Sequence, residues 1–113
     1  MKLLLLIAIA LTLQAKHLNK ESYYQNLFCE KMGGEKEVIL NDRTRVDCLT
    51  DDYAIEVEFP EKWAESIGQS LYYGLKTKRQ AGVYLIIESE SDNKYLDRLN
   101  RVADKYFIKV WIK

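Results

Sequence analysis

The hydrophobic period of this chain switches from two to about 3.6 at Pro60, and few arrangements satisfy both halves of that pattern. Before the switch, Ile55, Val57 and Phe59 point to one side of an extended strand while Glu56 and Glu58 point to the other. One face is core and the other is a carboxylate pair. After it, Trp63, Ile67, Ser70 and Gly74 form one helical stripe flanked by Leu71 and Leu75, and Lys62, Gln69 and Tyr73 line a second. Pro60 pre-sets the backbone for a helix start, and Glu61 and Glu65 suit the positive end of its dipole. A strand thus runs directly into an amphipathic helix.

The same reading along the chain gives a helix over 20–31, strands over 37–40, 44–49 and 53–59, a helix over 61–76, a strand over 83–88, a helix over 92–105 and a strand over 107–112. The order is α-β-β-β-α-β-α-β, an α/β class. Gly33-Gly34 ends the first helix and Asn41-Asp42 marks a turn between strands. Val83 to Ile87 is continuously apolar, as in a strand covered on both faces. Tyr95, Leu99, Val102 and Tyr106 recur at helical spacing and predict the buried stripe of the last helix. Arg45 and Asp47 share one face of their strand, Cys48 takes the other, and pairing with the next strand would bring Asp47, Glu56 and Glu58 together.

At Asp47, Glu56, Glu58 and Lys62 the chain resembles the PD-(D/E)xK nuclease superfamily, the restriction-endonuclease-like phosphodiesterases. That motif places an acid on one strand, an acid on the next and a lysine two residues later. Here Glu58 stands at the usual lysine position and Lys62 sits where a lysine displaced onto the following helix falls. Gln69 and Tyr73 resemble the Gln-x-x-x-Tyr element of the recombination-exonuclease branch. The resemblance implies a single restriction-endonuclease-like domain over 16–113, a mixed sheet flanked by helices with one extra helix-strand unit. It also implies metal-dependent hydrolysis of nucleic acid. Asp47 and Glu56 would hold Mg²⁺ or Mn²⁺ with the Val57 carbonyl as a further donor, because hard cations take oxygen ligands. Lys62 would orient a water or offset developing charge, and Glu58 would bind a second metal or act as general base. Gln69 and Tyr73 would position the strand or fix Lys62. Glu30 is either a further acid drawn from the first helix or a solvated surface glutamate. If Lys62 does not replace the missing lysine, the domain remains as an inactive form that binds nucleic acid or a protein partner. An exported binding or inhibitor protein, with its 8 tyrosines as contact surface, is a third class.

The partners that charge allows are limited. Lys and Arg number 17 and so do Asp and Glu, so no excess charge draws nucleic acid from a distance. Basic residues must act locally, and Arg43, Arg45, Lys76, Lys78 and Arg79 are candidates; the run from Lys76 to Gln80 is either a phosphate contact or a solvated helix end. Nucleic acid is the expected partner, DNA ahead of RNA, with a homodimer left open by the small size of the domain. Met1-Lys2, an apolar stretch from Leu3 to Leu13 and then Gln14-Ala15 fit a signal peptide cleaved after Ala15. The run is about half of what a membrane-spanning helix needs. Export to a periplasmic or extracellular space, with no stable membrane association once the leader is removed, is the expectation; an uncleaved anchor is the alternative. Cys29 and Cys48 form either a disulfide or two buried thiols. His17, the lone histidine, has no partner at ligand spacing, so no zinc site is expected.

Overall fold

The chain's computed structural model describes residues 16–113, so the leader lies outside the described residues. Helix α1 (Glu21–Lys31) is followed by strands β1 (Glu35–Ile39), β2 (Arg45–Leu49) and β3 (Tyr53–Glu58). A 3₁₀ turn at Pro60–Lys62 then leads into α2 (Trp63–Thr77), β4 (Gln80–Leu85), α3 (Asn93–Tyr106) and β5 (Lys109–Ile112). The strands form one five-stranded sheet in the order β1-β2-β3-β4-β5. The first three pair antiparallel, whereas β3, β4 and β5 run parallel through right-sized helical crossovers. The α/β class expected from the periodicity is therefore present, as a mixed sheet with helices on both faces. No helix among the described residues is long and apolar enough to cross a membrane.

The period change at Pro60 explains the two faces. Ile55 and Val57 turn to the α1 side and join Tyr24, Phe28, Cys29, Cys48, Tyr84 and Ile86. On the opposite side Val83 and Leu85 pack with Leu99 and Ala103 of α3, and with Trp63 and Ile67 of α2. Because Glu56 pairs with Val83 and Glu58 with Leu85, both glutamates lie on this helix-covered face. They are 3% and 8% exposed, so the pair does not face water.

Four expectations shift for local reasons. β4 covers Gln80–Leu85 and not 83–88, because Lys78 adopts the left-handed conformation and ends α2 within one residue. Phe107, expected in the last strand, is instead the left-handed cap of α3, with a φ of 58°. In α2 the close approach to the sheet is made by Ser66, Ser70, Tyr73 and Gly74, while Leu71 and Leu75 lie exposed. The two serine hydroxyls donate to the Trp63 and Ile67 carbonyls of their own helix, so small polar residues are buried without needing partners in the sheet. In α3 the buried positions are Leu99 and Ala103, and Tyr106 faces solvent.

Cys29 and Cys48 form a disulfide that ties α1 to β2. Gly33 takes the left-handed cap with a φ of 67°, and Gly34 follows directly beneath the bridge. A Cβ at Gly34 would lie 2.6 Å from Cys48 Sγ, 3.0 Å from Cys29 Sγ and 3.1 Å from the Leu49 carbonyl oxygen. Gly34→Ala is expected to cost about 1–3 kcal/mol through this overlap. Thermal denaturation of the oxidised protein checks it, and an unchanged midpoint would show that the bridge can move aside.

Candidate active site

The site is built around a break in the β2–β3 ladder. Backbone pairing between these strands runs through Leu49–Ala54 and Cys48–Ile55, and at Asp47 a side chain takes over. The Val57 amide donates to Asp47 Oδ2 at 2.9 Å, and the Asp47 amide reaches Glu56 Oε1 at 3.5 Å. Across β1 the same level is occupied by Glu37, whose φ is 54°. This irregularity reverses the faces: Cys48 packs under α1, whereas Val46, two residues earlier, packs with Ala54 and Tyr73 under α2. Asp47 lies at the crossing point. Since Ile86 donates to the Glu58 carbonyl on the β4 side, Val57 turns its N–H and its carbonyl toward β2, where the ladder has opened.

Burial dominates the electrostatics. It pushes the Glu56 carboxyl up to about 9, and the neighbouring Asp47 charge adds to the effect. Asp47 is itself raised by burial, while its hydrogen bond from Val57 opposes the shift. The two carboxyl groups are neighbours, with the Asp47 amide reaching Glu56 Oε1 and the Asp47 charge disfavouring ionisation of Glu56. Glu58 is raised to about 7 by burial and then by the charge of Glu21, with Lys62 pulling the other way. Its Oε2 has no hydrogen-bond partner among the described residues. The Tyr73 hydroxyl is raised by burial and then by Glu56.

The expected residues therefore separate into groups. Asp47 and Glu56 meet; Glu58 stands with Glu21 and Lys62 at the carboxyl end of β3; Tyr73 is buried against Val46 and Ala54. Gln69 is exposed and does not share Tyr73's environment, so the second stripe of α2 is not a single polar row. Glu30 is exposed. The acid that α1 sends toward the carboxylates is Glu21, whose carboxyl is raised by burial and by Asp47. Gln25, one turn on, is 5% exposed and donates to the Asp47 carbonyl at 2.9 Å. Both were legible in principle: once Cys29 bridges to Cys48, stepping back four and eight residues along α1 leads to Gln25 and Glu21 beside Asp47.

An oxygen-only donor set with one unpartnered buried carboxylate oxygen suits a hard divalent cation. Among the described residues, no three His, Cys, Asp or Glu side chains already stand as a ligand set. Asp47 and Glu56 supply a pair, and Val57 presents its carbonyl beside them. Away from this centre, His17 stacks on Phe59 at 3.5 Å and its Nδ1 lies 2.7 Å from Glu88 Oε1. Lys76 bonds Asn41 Oδ1 at 3.1 Å, and Arg45 lies 3.5 Å from Glu37, so part of the basic set is engaged with the β1–β2 hairpin.

A putative KilA-N domain-containing protein of Acanthamoeba polyphaga mimivirus is 34% identical over 95 residues, which is 80% of this chain and 36% of the relative. The chain thus spans about a third of the length of the curated relative it matches. No family model matches the chain, and no solved structure matches it.

The carboxyl pair sets a pH dependence. Glu56 titrates near 4.5 when unfolded and near 9 when folded, so between those values the unfolded chain releases a proton that the fold retains. Stability is greatest below the lower value and declines as pH rises toward the upper one. Glu56→Gln keeps the hydrogen-bonding shape without the charge. It is expected to raise the melting midpoint at pH 7.5 by roughly 5 °C in metal-free buffer and to flatten the decline between pH 5 and 9. Calorimetry of both proteins checks this; a less stable variant would mean that the carboxylate is satisfied as an anion.

Proposed function

We propose that the chain binds nucleic acid and hydrolyses its phosphodiester backbone with Mg²⁺ or Mn²⁺ held by Asp47 and Glu56. The observation that carries the reading is that carboxyl pair: two neighbouring acids, buried at a ladder break, where ionising both costs stability unless a cation takes the place of the proton that Glu56 retains. The Val57 carbonyl completes the donors. Bound there, the cation supplies Lewis-acid stabilisation and a more acidic water. Glu58, with one oxygen unpaired and its carboxyl titrating near neutrality, would accept a proton from an attacking water. Lys62 is exposed at the helix start beside Glu58 and Glu21, and its ammonium offsets charge at the phosphate. Tyr73 and Gln25 hold the strands that carry the pair.

A second reading, binding without hydrolysis, has its own support. The mimivirus relative is named for a KilA-N domain, a DNA-binding domain, and this also favours DNA as the partner. The described residues hold no ready ligand triad. We further place the chain in an exported, oxidising location, an assignment that the Cys29–Cys48 bridge supports.

Plasmid and single-stranded DNA incubated with Mn²⁺ or Mg²⁺ separate the two. Hydrolysis is expected to require the metal and to fall at least about a hundredfold in Asp47→Ala and in Lys62→Ala. Retained DNA binding with no cutting in the folded protein would establish the binding form in its place.

A further inference from the structure

Helix α1 lies over β1, β2 and β3, and the same face of the sheet is left open toward β5. There a cavity of about 400 Å³ forms between the carboxyl half of α1 and the last strand, walled by Phe28, Met32, Tyr84 and Trp111 and rimmed by Lys31 and Lys113. This is within the size range of small-ligand sites. Its aromatic walls are fixed by one another: Phe28 stacks on Tyr84 at 4.0 Å, and Trp111 stands edge-on to Phe28 at 5.6 Å and to Tyr53 at 5.0 Å. Gly82 makes room for the Trp111 ring itself, since a Cβ there would lie 2.7 Å from it.

Three features say what the slot takes. Its rim carries the Lys31 and Lys113 side chains, the latter with its Nζ 5.4 Å from the Tyr24 ring centre, and no acidic side chain among the described residues that line it, which favours an anionic ligand. Its walls are flat and aromatic, so the ligand offers a ring. Tyr84 is 8% exposed, and among the described residues its hydroxyl has no hydrogen-bond partner. Burial holds that hydroxyl in its protonated, donating form, so the ring it meets offers an acceptor. A nucleobase carrying a phosphate has all three properties.

The rim residues Lys31 and Lys113 are exposed, so a base within a strand can reach the slot. Ile112, at the end of the slot, pairs with Leu85, which pairs with Glu58. The Lys113 amide donates to the Leu85 carbonyl at 3.3 Å. The slot lies on the α1 face of the sheet, with Trp111 packed on Tyr53 and Gly82, whereas Glu56 and Glu58 lie on the face that α2 and α3 cover. We propose that this slot seats an unpaired base of single-stranded nucleic acid against Trp111 and Tyr84, with flanking phosphate on Lys31 and Lys113. This rests on the nucleic-acid reading above and adds the class of substrate to it.

The test uses the full chain in EDTA, so that no strand is cut, with a labelled single-stranded 12-mer and the duplex of the same sequence. Wild type is expected to bind the single strand at least fivefold more tightly than the duplex, with quenching of tryptophan fluorescence. Tyr84→Phe, which keeps the ring and loses only the hydroxyl, is expected to weaken single-strand binding about fivefold. Lys31→Gln/Lys113→Gln, at the exposed rim, is expected to flatten the salt dependence by more than one unit of slope. Single-strand binding unchanged in both folded variants overturns the slot while the nucleic-acid reading stands. Equal binding of duplex and single strand overturns the single-strand assignment. No binding of either by wild type overturns both readings. If the variants instead change sedimentation of the free protein, the slot is a protein contact and the proposal fails.

Discussion

The hydrogen bond from the Val57 amide to the Asp47 carboxylate governs the arrangement of everything around it. A side chain here does the work of a backbone carbonyl, so β2 and β3 part at this level and keep their pairing below it. The strand consequently faces both helical layers within three residues: Val46 turns to α2 and Cys48 to α1. Each layer then has an anchor. Cys48 is bridged to Cys29, Gln25 grips the Asp47 carbonyl, and Tyr73 fills the space beside Val46. An amide lost from the ladder is a cost that most sheets avoid, and it is tolerated here because an acid occupies the gap.

Placing acids at such a point is unfavourable for the fold alone. Glu56 and Glu58 are more deeply covered than surface glutamates, and the helix above them comes close because its inner residues are serines and a glycine. Apolar residues of similar volume would be the cheaper choice at both positions. That expense, concentrated on three acids with a lysine at the opening, separates this end of the sheet from the rest of the molecule. Buried groups that disfavour their own charged state are commonly functional ones.

Much of this was legible in the sequence where the pattern was purely periodic. The alternation from Ile55 to Phe59 identified both the strand and the side on which Glu56 and Glu58 lie, and Gly33 marked the end of α1. Reading failed where the backbone departs from the average. Lys78 and Phe107 are not glycine, so nothing in their identity announced left-handed caps, and the following strands were displaced by two or three residues. Leu71 and Leu75 look like core in a helical projection; it was Ser66 and Tyr73 that the sheet accepted, because close approach rewards small or flat side chains over bulky ones. The sequence leaves Glu30 open between a site acid and a surface glutamate and does not point to Glu21, because the rotation of α1 is fixed by the disulfide, whose formation the sequence does not decide.

The disulfide and the order of the acids along the chain also bear on how the domain assembles. Asp47, Glu56, Glu58 and Lys62 belong to one hairpin and the turn that follows it, a local segment that closes early because little chain entropy is lost. Glu21 comes from a helix whose bridge spans 19 residues, and it joins them only when α1 docks. Glu56 and Glu58 are covered by α2, which follows β3 directly in the chain, whereas Glu21 is brought beside Glu58 only with α1. Docking of α1 thus adds a third glutamate charge to a site already closed by α2, so protons or a divalent cation in solution favour that docking over an undocked helix.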